Sequence, residues 1–208
     1  MQNKEALIKV VLLGAIGVGK SSILKRYVNQ DFHENEPSSM GAGFLSKRVT
    51  YQNKTYRFQI WDTAGQEKYA PLAVMYYRDA QVILLVYDIT SKDSFNQLKE
   101  WYEEVKSKGP KDIVVAIVGN KIDLNEKEEV SQAEATEFAR SIPAFLKLTS
   151  AKENIGIDEL FTNIIEELDL NIESLTVSRA KIPKGSTLQK NQSVIDNEPD
   201  TDKSRPCC

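Results

Sequence analysis

Along the chain, short apolar runs alternate with segments whose apolar residues recur every three to four positions. Residues 8–13 read as a buried strand and 20–29 as an amphipathic helix. From Gln30 to Gly43 the periodicity is lost, and a loop of that length in a compact domain is usually functional. Residues 44–51 and 55–61 alternate loosely around Gln52-Asn53-Lys54 and predict a β-hairpin. Residues 82–87 and 113–118 are continuous β-branched and apolar runs, the signature of strands buried on both faces. A helix starts at Ser91-Lys92-Asp93-Ser94 and is stopped after Lys108 by Gly109-Pro110. Ser131-Gln132-Ala133-Glu134 forms a capping box before a helix to about Arg140. Residues 144–148 read as a short strand. A last helix from Asp158 to about Leu170 aligns Leu160, Phe161, Ile164, Ile165 and Leu168 on one face.

Strands alternating with helices predict an α/β fold with a parallel sheet covered on both sides. Ligands of such sheets bind at the carboxyl ends of the strands. From about Asn171 the pattern stops, and 173–208 reads as a disordered tail. It is basic first (Arg179, Lys181, Lys184, Lys190) and acidic later (Asp196, Glu198, Asp200, Asp202), so a strong polybasic membrane anchor is not expected.

Composition adds bounds. A chain of 208 residues suggests one domain with an appendage, and 41% apolar residues can build a core. The net charge of −3 gives no sign of nucleic-acid binding. No apolar run is long enough to span a bilayer, and no signal segment opens the chain. The only cysteines are Cys207 and Cys208, an adjacent pair that is no disulfide framework and suits a cytosolic protein.

The chemistry concentrates just after the strands. Gly14-Ala15-Ile16-Gly17-Val18-Gly19-Lys20-Ser21 joins a strand to a helix, the context that makes G-x-x-x-x-G-K-[ST] a phosphate-binding loop. Glycines let successive N–H groups turn toward phosphate oxygens, and the helix N-terminus adds partial positive charge. Lys20 supplies a point charge to the β- and γ-phosphates, and the Ser21 hydroxyl is a Mg²⁺ ligand. Asp62-Thr63-Ala64-Gly65-Gln66-Glu67 follows the second hairpin strand. Asp62 is placed to hold Mg²⁺ through water, Gly65 to bring its N–H to the terminal phosphate, and Gln66 to orient a water. In Asn120-Lys121-Ile122-Asp123, the Asp123 carboxylate accepts both guanine N1–H and the 2-amino group; adenine leaves it unpaired. Asn120 can bridge loops and reach the base, the Lys121 stem can lie over the ring, and the Ala151 N–H can meet the guanine oxygen.

On these motifs the chain resembles the Ras superfamily of small GTPases over roughly residues 6–172. Segments 14–21, 62–67, 120–123 and 150–152 stand in that family's order and spacing. Met40-Gly41-Ala42-Gly43-Phe44, Lys47-Arg48-Val49, Tyr76-Tyr77-Arg78-Asp79-Ala80, Tyr87-Asp88-Ile89-Thr90 and the terminal Cys207-Cys208 are similar to Rab segments. Phe32-His33-Glu34 resembles the early-endosomal Rabs.

The resemblance implies a P-loop G domain over 1–172 with a six-stranded, mostly parallel sheet. It also implies a hypervariable tail prenylated on Cys207 and Cys208. It implies a GTP/GDP switch with Mg²⁺ in endosomal vesicle traffic, and GTP hydrolysis that is slow without an activating protein. The nucleotide-binding positions are Gly14, Ile16, Gly17, Val18, Gly19, Lys20, Ser21, Ser22, Phe32, Ser39, Gly65, Asn120, Lys121, Asp123, Ser150, Ala151 and Lys152. Ser21, Ser39 and Asp62 serve the metal, and Gln66 is catalytic. Ser39 stands where the family usually has threonine, which keeps the hydroxyl and loses a methyl contact. Phe44, Trp61 and Tyr76 match the effector-facing aromatics of Rabs. The implied partners are an exchange factor, a GTPase-activating protein, a GDP-dissociation inhibitor, a prenyltransferase escort and membrane-tethering effectors. They act on a monomer at the cytoplasmic face of intracellular membranes, with a cytosolic pool. Ile16 and Ser39 also motivate a second expectation, a nucleotide-locked recruitment module that scarcely hydrolyses.

Overall fold

The computed structural model describes residues 5–34, 42–63 and 70–180, with the backbone alone at 70–73 and 171–180. Ser39, Gly65, Gln66, Cys207 and Cys208, and most of the tail, lie outside the described residues.

Six strands form one sheet in the order β2-β3-β1-β4-β5-β6. They are β1 (Ala6–Leu13), β2 (Gly43–Tyr51), β3 (Lys54–Asp62), β4 (Val82–Asp88), β5 (Val114–Asn120) and β6 (Ala144–Leu148). Only β2 runs antiparallel to its neighbour, and the parallel pairs set Leu12 beside Asp62 and Asp88 beside Asn120. The carboxyl ends of β1, β3, β4 and β5 therefore share one edge, as the alternation of strands and helices requires.

Helices cover both faces. α1 (Lys20–Asn29) and α5 (Ile157–Ala180) pack on one side, and α2 (Ala70–Tyr77), α3 (Lys92–Lys108) and α4 (Gln132–Ser141) on the other. The strands divide their side chains between the two layers by simple alternation: Val10, Leu12, Leu84 and Val86 join α1 and α5, while Val11, Leu13, Ile83 and Leu85 join the opposite layer. In the first layer Phe161 stacks on Tyr27 with centroids 3.5 Å apart and meets Phe58 edge-on at 5.3 Å. Trp101 is buried in the α3 face, the packing role its helical position predicts.

Local signals explain the helix starts. Ser91 caps α3 by accepting from the Ser94 N–H at 3.2 Å. Ser131 accepts from the Glu134 N–H at 3.2 Å, one half of a capping box. The Glu134 carboxylate turns instead to the Lys92 ammonium, joining α4 to the start of α3.

Three differences from the pattern reading have physical reasons. α2 carries no polar face in Ala-Pro-Leu-Ala-Val-Met-Tyr-Tyr, so no periodic stripe marks it, and its proline sits in the first turn where a missing N–H is tolerated. A 3-10 segment, Ile122–Lys127, follows β5 and turns the chain across the site. α5 continues to Ala180, past the end of the apolar stripe, because 171–180 contains neither glycine nor proline to stop it. Among the described residues no helix is long and apolar enough to cross a membrane.

Candidate functional site

At the end of β1 the backbone turns through Gly14 (φ 142°) and enters α1 from Gly19 in the left-handed region (φ 96°). A Cβ on Gly14 would lie 2.1 Å from the Val86 carbonyl oxygen, so the loop can hug β4 only with glycine there. Lys20 opens the helix yet is almost wholly buried, and its Nζ donates to the carbonyl oxygens of Gly14 and Ala15 at 2.8 Å each. Burial lowers its pKa to about 8, opposed by the Asp62 charge. A desolvated ammonium inside a curled glycine loop, at a helix N-terminus, is a site built for a polyanion. Val18 is buried, Ser22 half-buried, and Gly17 and Ile16 exposed, Ile16 to 52%.

Asp62 ends β3 beside Leu12, and its Oδ2 accepts from the Ser21 hydroxyl at 2.5 Å. Thr63, next in sequence, donates its hydroxyl to the Leu12 carbonyl oxygen at 2.6 Å and fixes the strand end. Ser21 and Asp62 thus present hard oxygen donors next to Lys20, a set that fits Mg²⁺ and not a thiophilic metal.

The third corner lies after β5 and β6. The Asn120 amide donates to the Val18 carbonyl oxygen at 2.9 Å, while its Oδ1 accepts from the Thr149 hydroxyl at 3.2 Å and the Ala151 N–H at 3.3 Å. Ser150 donates its hydroxyl to Asp123 Oδ1 at 2.5 Å. Lys121 takes a left-handed backbone (φ 69°) and pairs with Asp88 Oδ2 at 2.6 Å. Asp88 is itself held by the Thr90 N–H at 2.9 Å and the Thr90 hydroxyl at 2.7 Å.

Phe32 is half-buried against the α1 and α5 layer, with the Arg26 guanidinium 5.7 Å from its ring centroid. Two residues on, Glu34 pairs with Lys152 at 2.8 Å; this bond holds the Glu34 carboxyl below its usual range and raises the Lys152 ammonium. The sequence's lone histidine, His33, is exposed and lies 2.9 Å from Asp31, as expected of a loop residue.

On the far side of β3, the Trp61 ring lies 5.1 Å from Phe44 and 5.4 Å from Tyr76, so the three aromatics predicted to face partners do form one cluster. Lys9 sits over Trp61 at 5.5 Å and pairs with Asp79.

The described motif residues therefore converge from three loops on one strand edge. Sequence reasoning missed Arg26 altogether and gave no role to Thr63, Asp88 and Glu34, although each stands in a segment it singled out. Thr63 bonds Leu12, Asp88 pairs with Lys121 and Glu34 with Lys152, while Arg26 stands in the last turn of α1, where a cation is favoured near the helix carbonyls.

Comparison with known proteins shows what the chain is similar to. The Ras family pattern matches residues 9–170. Ras-related protein Rab-22A of Mus musculus is 45% identical over 201 residues, 97% of this chain and 97% of that one. Ras-related protein Rab-31 of Homo sapiens is 49% identical over 161 residues, 77% of this chain and 83% of that protein. Ras-related protein Rab-5A of Dictyostelium discoideum is 42% identical over 194 residues, 91% of this chain and 96% of that one.

Proposed function

Because this chain belongs to the Ras family and, within it, to the Rab small GTPases, we propose that its nucleotide binds along the edge formed by the ends of β1, β3, β5 and β6. The protein is a GTP-binding and GTP-hydrolysing switch in endosomal membrane traffic. Family members bind GTP and GDP, generally with Mg²⁺, and work with regulators and effectors.

Each side chain of the edge has a task in this reading. Loop 14–21 wraps the phosphates, and the Lys20 ammonium stands opposite the β- and γ-phosphates, where charge builds up as the terminal bond breaks. Ser21 and Asp62, with Ser39, would hold Mg²⁺, which would supply positive charge to the phosphates. Gly65 offers a backbone N–H to the γ-phosphate, and Gln66 orients the attacking water. Phe32 packs against the base, Asp123 reads its donors, Lys121 lies along it, and Ala151 offers its N–H to the guanine oxygen, with Lys152 alongside. The observation that carries the reading is the Asp123 carboxylate fixed at 2.5 Å by Ser150, in the motif whose Asn120 is bonded at 2.9 Å to Val18 of the loop that ends in buried Lys20. Changing Asp123→Asn should shift preference from GTP to xanthosine triphosphate, whose 2-oxo group accepts where guanine donates. Continued preference for GTP in that variant removes the base assignment.

The finer reading extends to the partners and the membrane. Residues 1–172 form the GTPase domain, and 173–208 form a tail whose first residues, to Ala180, are the last turns of α5. Cys207 and Cys208 carry two prenyl groups, since a single lipid gives only marginal anchoring. The Phe44, Trp61 and Tyr76 cluster meets membrane-tethering effectors. An exchange factor, an activating protein, a GDP-dissociation inhibitor and a prenyltransferase escort complete the cycle of a monomer on the cytoplasmic face of endosomal membranes, with a cytosolic pool. Replacing both cysteines by serine should move the protein from the membrane fraction to the soluble fraction; unchanged fractionation refutes the lipid anchor.

A further inference from the structure

Arg26 lies outside every motif, yet its guanidinium is the point where three parts of the base site meet. Its Nε donates to the Ala151 carbonyl oxygen at 2.8 Å, and its two terminal nitrogens to the carbonyl oxygens of Lys152 at 3.0 Å and Gln30 at 3.1 Å. The same planar group stands 5.7 Å from the Phe32 ring centroid. One side chain therefore fastens the end of α1, the Phe32 loop and the 150–152 loop together.

The link to Lys152 reaches further. The peptide whose carbonyl accepts from Arg26 carries the Glu153 N–H, and that N–H donates to Ser150 Oγ at 3.0 Å. Ser150 Oγ in turn donates to Asp123 Oδ1 at 2.5 Å. Guanidinium, peptide, hydroxyl and carboxylate form one chain, in which each group polarises and aligns the next. Fixing the Lys152 carbonyl sets the peptide plane, the plane aims the Glu153 N–H at Ser150 Oγ, and that hydroxyl directs its own hydrogen to Asp123. We infer that Arg26 is a positioning residue for guanine recognition, which orients the Asp123 carboxylate through the 150–153 loop and holds Phe32 beside the base. This rests on the proposed nucleotide site and adds a residue that lies outside the loops assigned to the nucleotide. Lysine cannot replace it, because one ammonium does not present three donors in a plane.

Inosine triphosphate lacks the 2-amino group that Asp123 reads, so the ratio of GTP to inosine triphosphate affinity reports how well that carboxylate is aimed. Full-length protein with Arg26→Gln, Arg26→Lys and Ser150→Ala is to be measured for GDP release and for this ratio, with Asp123→Asn as control. Arg26→Gln is expected to release GDP about tenfold faster and to narrow the ratio about fivefold, on the scale of lost charge-assisted bonds. Ser150→Ala should narrow the ratio similarly, and the Arg26→Gln, Ser150→Ala double variant should narrow it no further than the larger single change. If Arg26→Gln does not fold, Arg26→Lys replaces it in the same cycle. Faster release with an unchanged ratio, or fully additive effects, overturns the positioning role. A wild type that does not distinguish the two nucleotides, or an Asp123→Asn control that matches wild type, overturns the base site itself and this inference with it.

Discussion

The Asn120 side-chain amide donates to the Val18 carbonyl oxygen at 2.9 Å, joining two loops 102 residues apart. The contact exists because residue 19 is glycine: a Cβ there would lie 2.3 Å from Asn120 Nδ2. Asn120 is 1% exposed, so truncation leaves the Val18 carbonyl, the Thr149 hydroxyl and the Ala151 N–H short of a partner in the interior. Asn120→Ala is expected to cost about 2–3 kcal/mol in urea unfolding and to weaken GDP binding at least about tenfold. Gly19→Ala should weaken nucleotide binding by the same route. A stability loss without any change in GDP affinity would show that the bridge serves only the fold.

With Lys20 at the phosphates, as proposed, affinity should depend on pH. Its pKa without nucleotide is about 8, and phosphates at the loop favour the ammonium, so the bound value lies higher. Binding then takes up a proton above pH 8. Affinity for GDP should be level below that pH and fall above it, by up to about tenfold per unit. The nucleotide-free fold responds with the opposite sign. The folded value lies below the ordinary 10.5, the folded chain binds fewer protons, and this group's contribution to stability rises from pH 8 to 10.5. Lys20→Met should bind weakly and lose the pH slope; a slope unchanged in that variant assigns it to another group.

Phe161 couples the core to the phosphate loop. It is 1% exposed, and its stacking partner Tyr27 belongs to the helix that begins with Lys20 and Ser21. Phe161→Ala should cost about 3–5 kcal/mol, and Phe161→Leu less than about 1.5 kcal/mol after repacking. Calorimetry with and without GDP should show both variants regaining part of their stability with ligand. A cost below about 1 kcal/mol for the alanine variant would mean that this ring cluster is not the rigid base of α1.

Ile16 stands 52% exposed beside Gly17, where an added Cβ would meet nothing within 4 Å. The space next to the loop is open on that side, and a β-branched side chain there is stiff. In single-turnover assays with and without an activating protein, Ile16→Gly is expected to hydrolyse GTP more than about twofold faster, a barrier change of about 0.4 kcal/mol. A smaller change in both conditions makes Ile16 a passive loop residue. Gln66→Leu should slow the same reaction.

The parts of the fold that were legible in sequence are those where one physical demand acts alone. β4 and β5 are buried on both faces and read as unbroken apolar runs, and Gly14 and Gly19 take a backbone that few residues other than glycine adopt. The phosphate and base motifs are local, so their spacing survives in one dimension. α2 was not legible because an apolar helix has no stripe. Arg26 was not legible because its partners, Ala151 and Lys152, lie 125 and 126 residues away and offer only carbonyl oxygens, which every residue has. A side chain that works on another segment's backbone leaves no partner to find in the sequence.

The direction of α5 decides how the molecule is hung. Asp158 near its start lies 3.9 Å from Lys47, whereas Glu166 and Asp169 meet Tyr51 and Lys54 beside the hairpin turn, at the opposite end of the sheet from Asp62. At about 1.5 Å per residue the helix travels roughly 36 Å away from the phosphate loop. Ala180 is thus delivered toward the end of the sheet opposite the phosphate loop. The sheet thus keeps two ends apart by the length of its strands, the glycine loop at one and the hairpin turn with the last turns of α5 at the other.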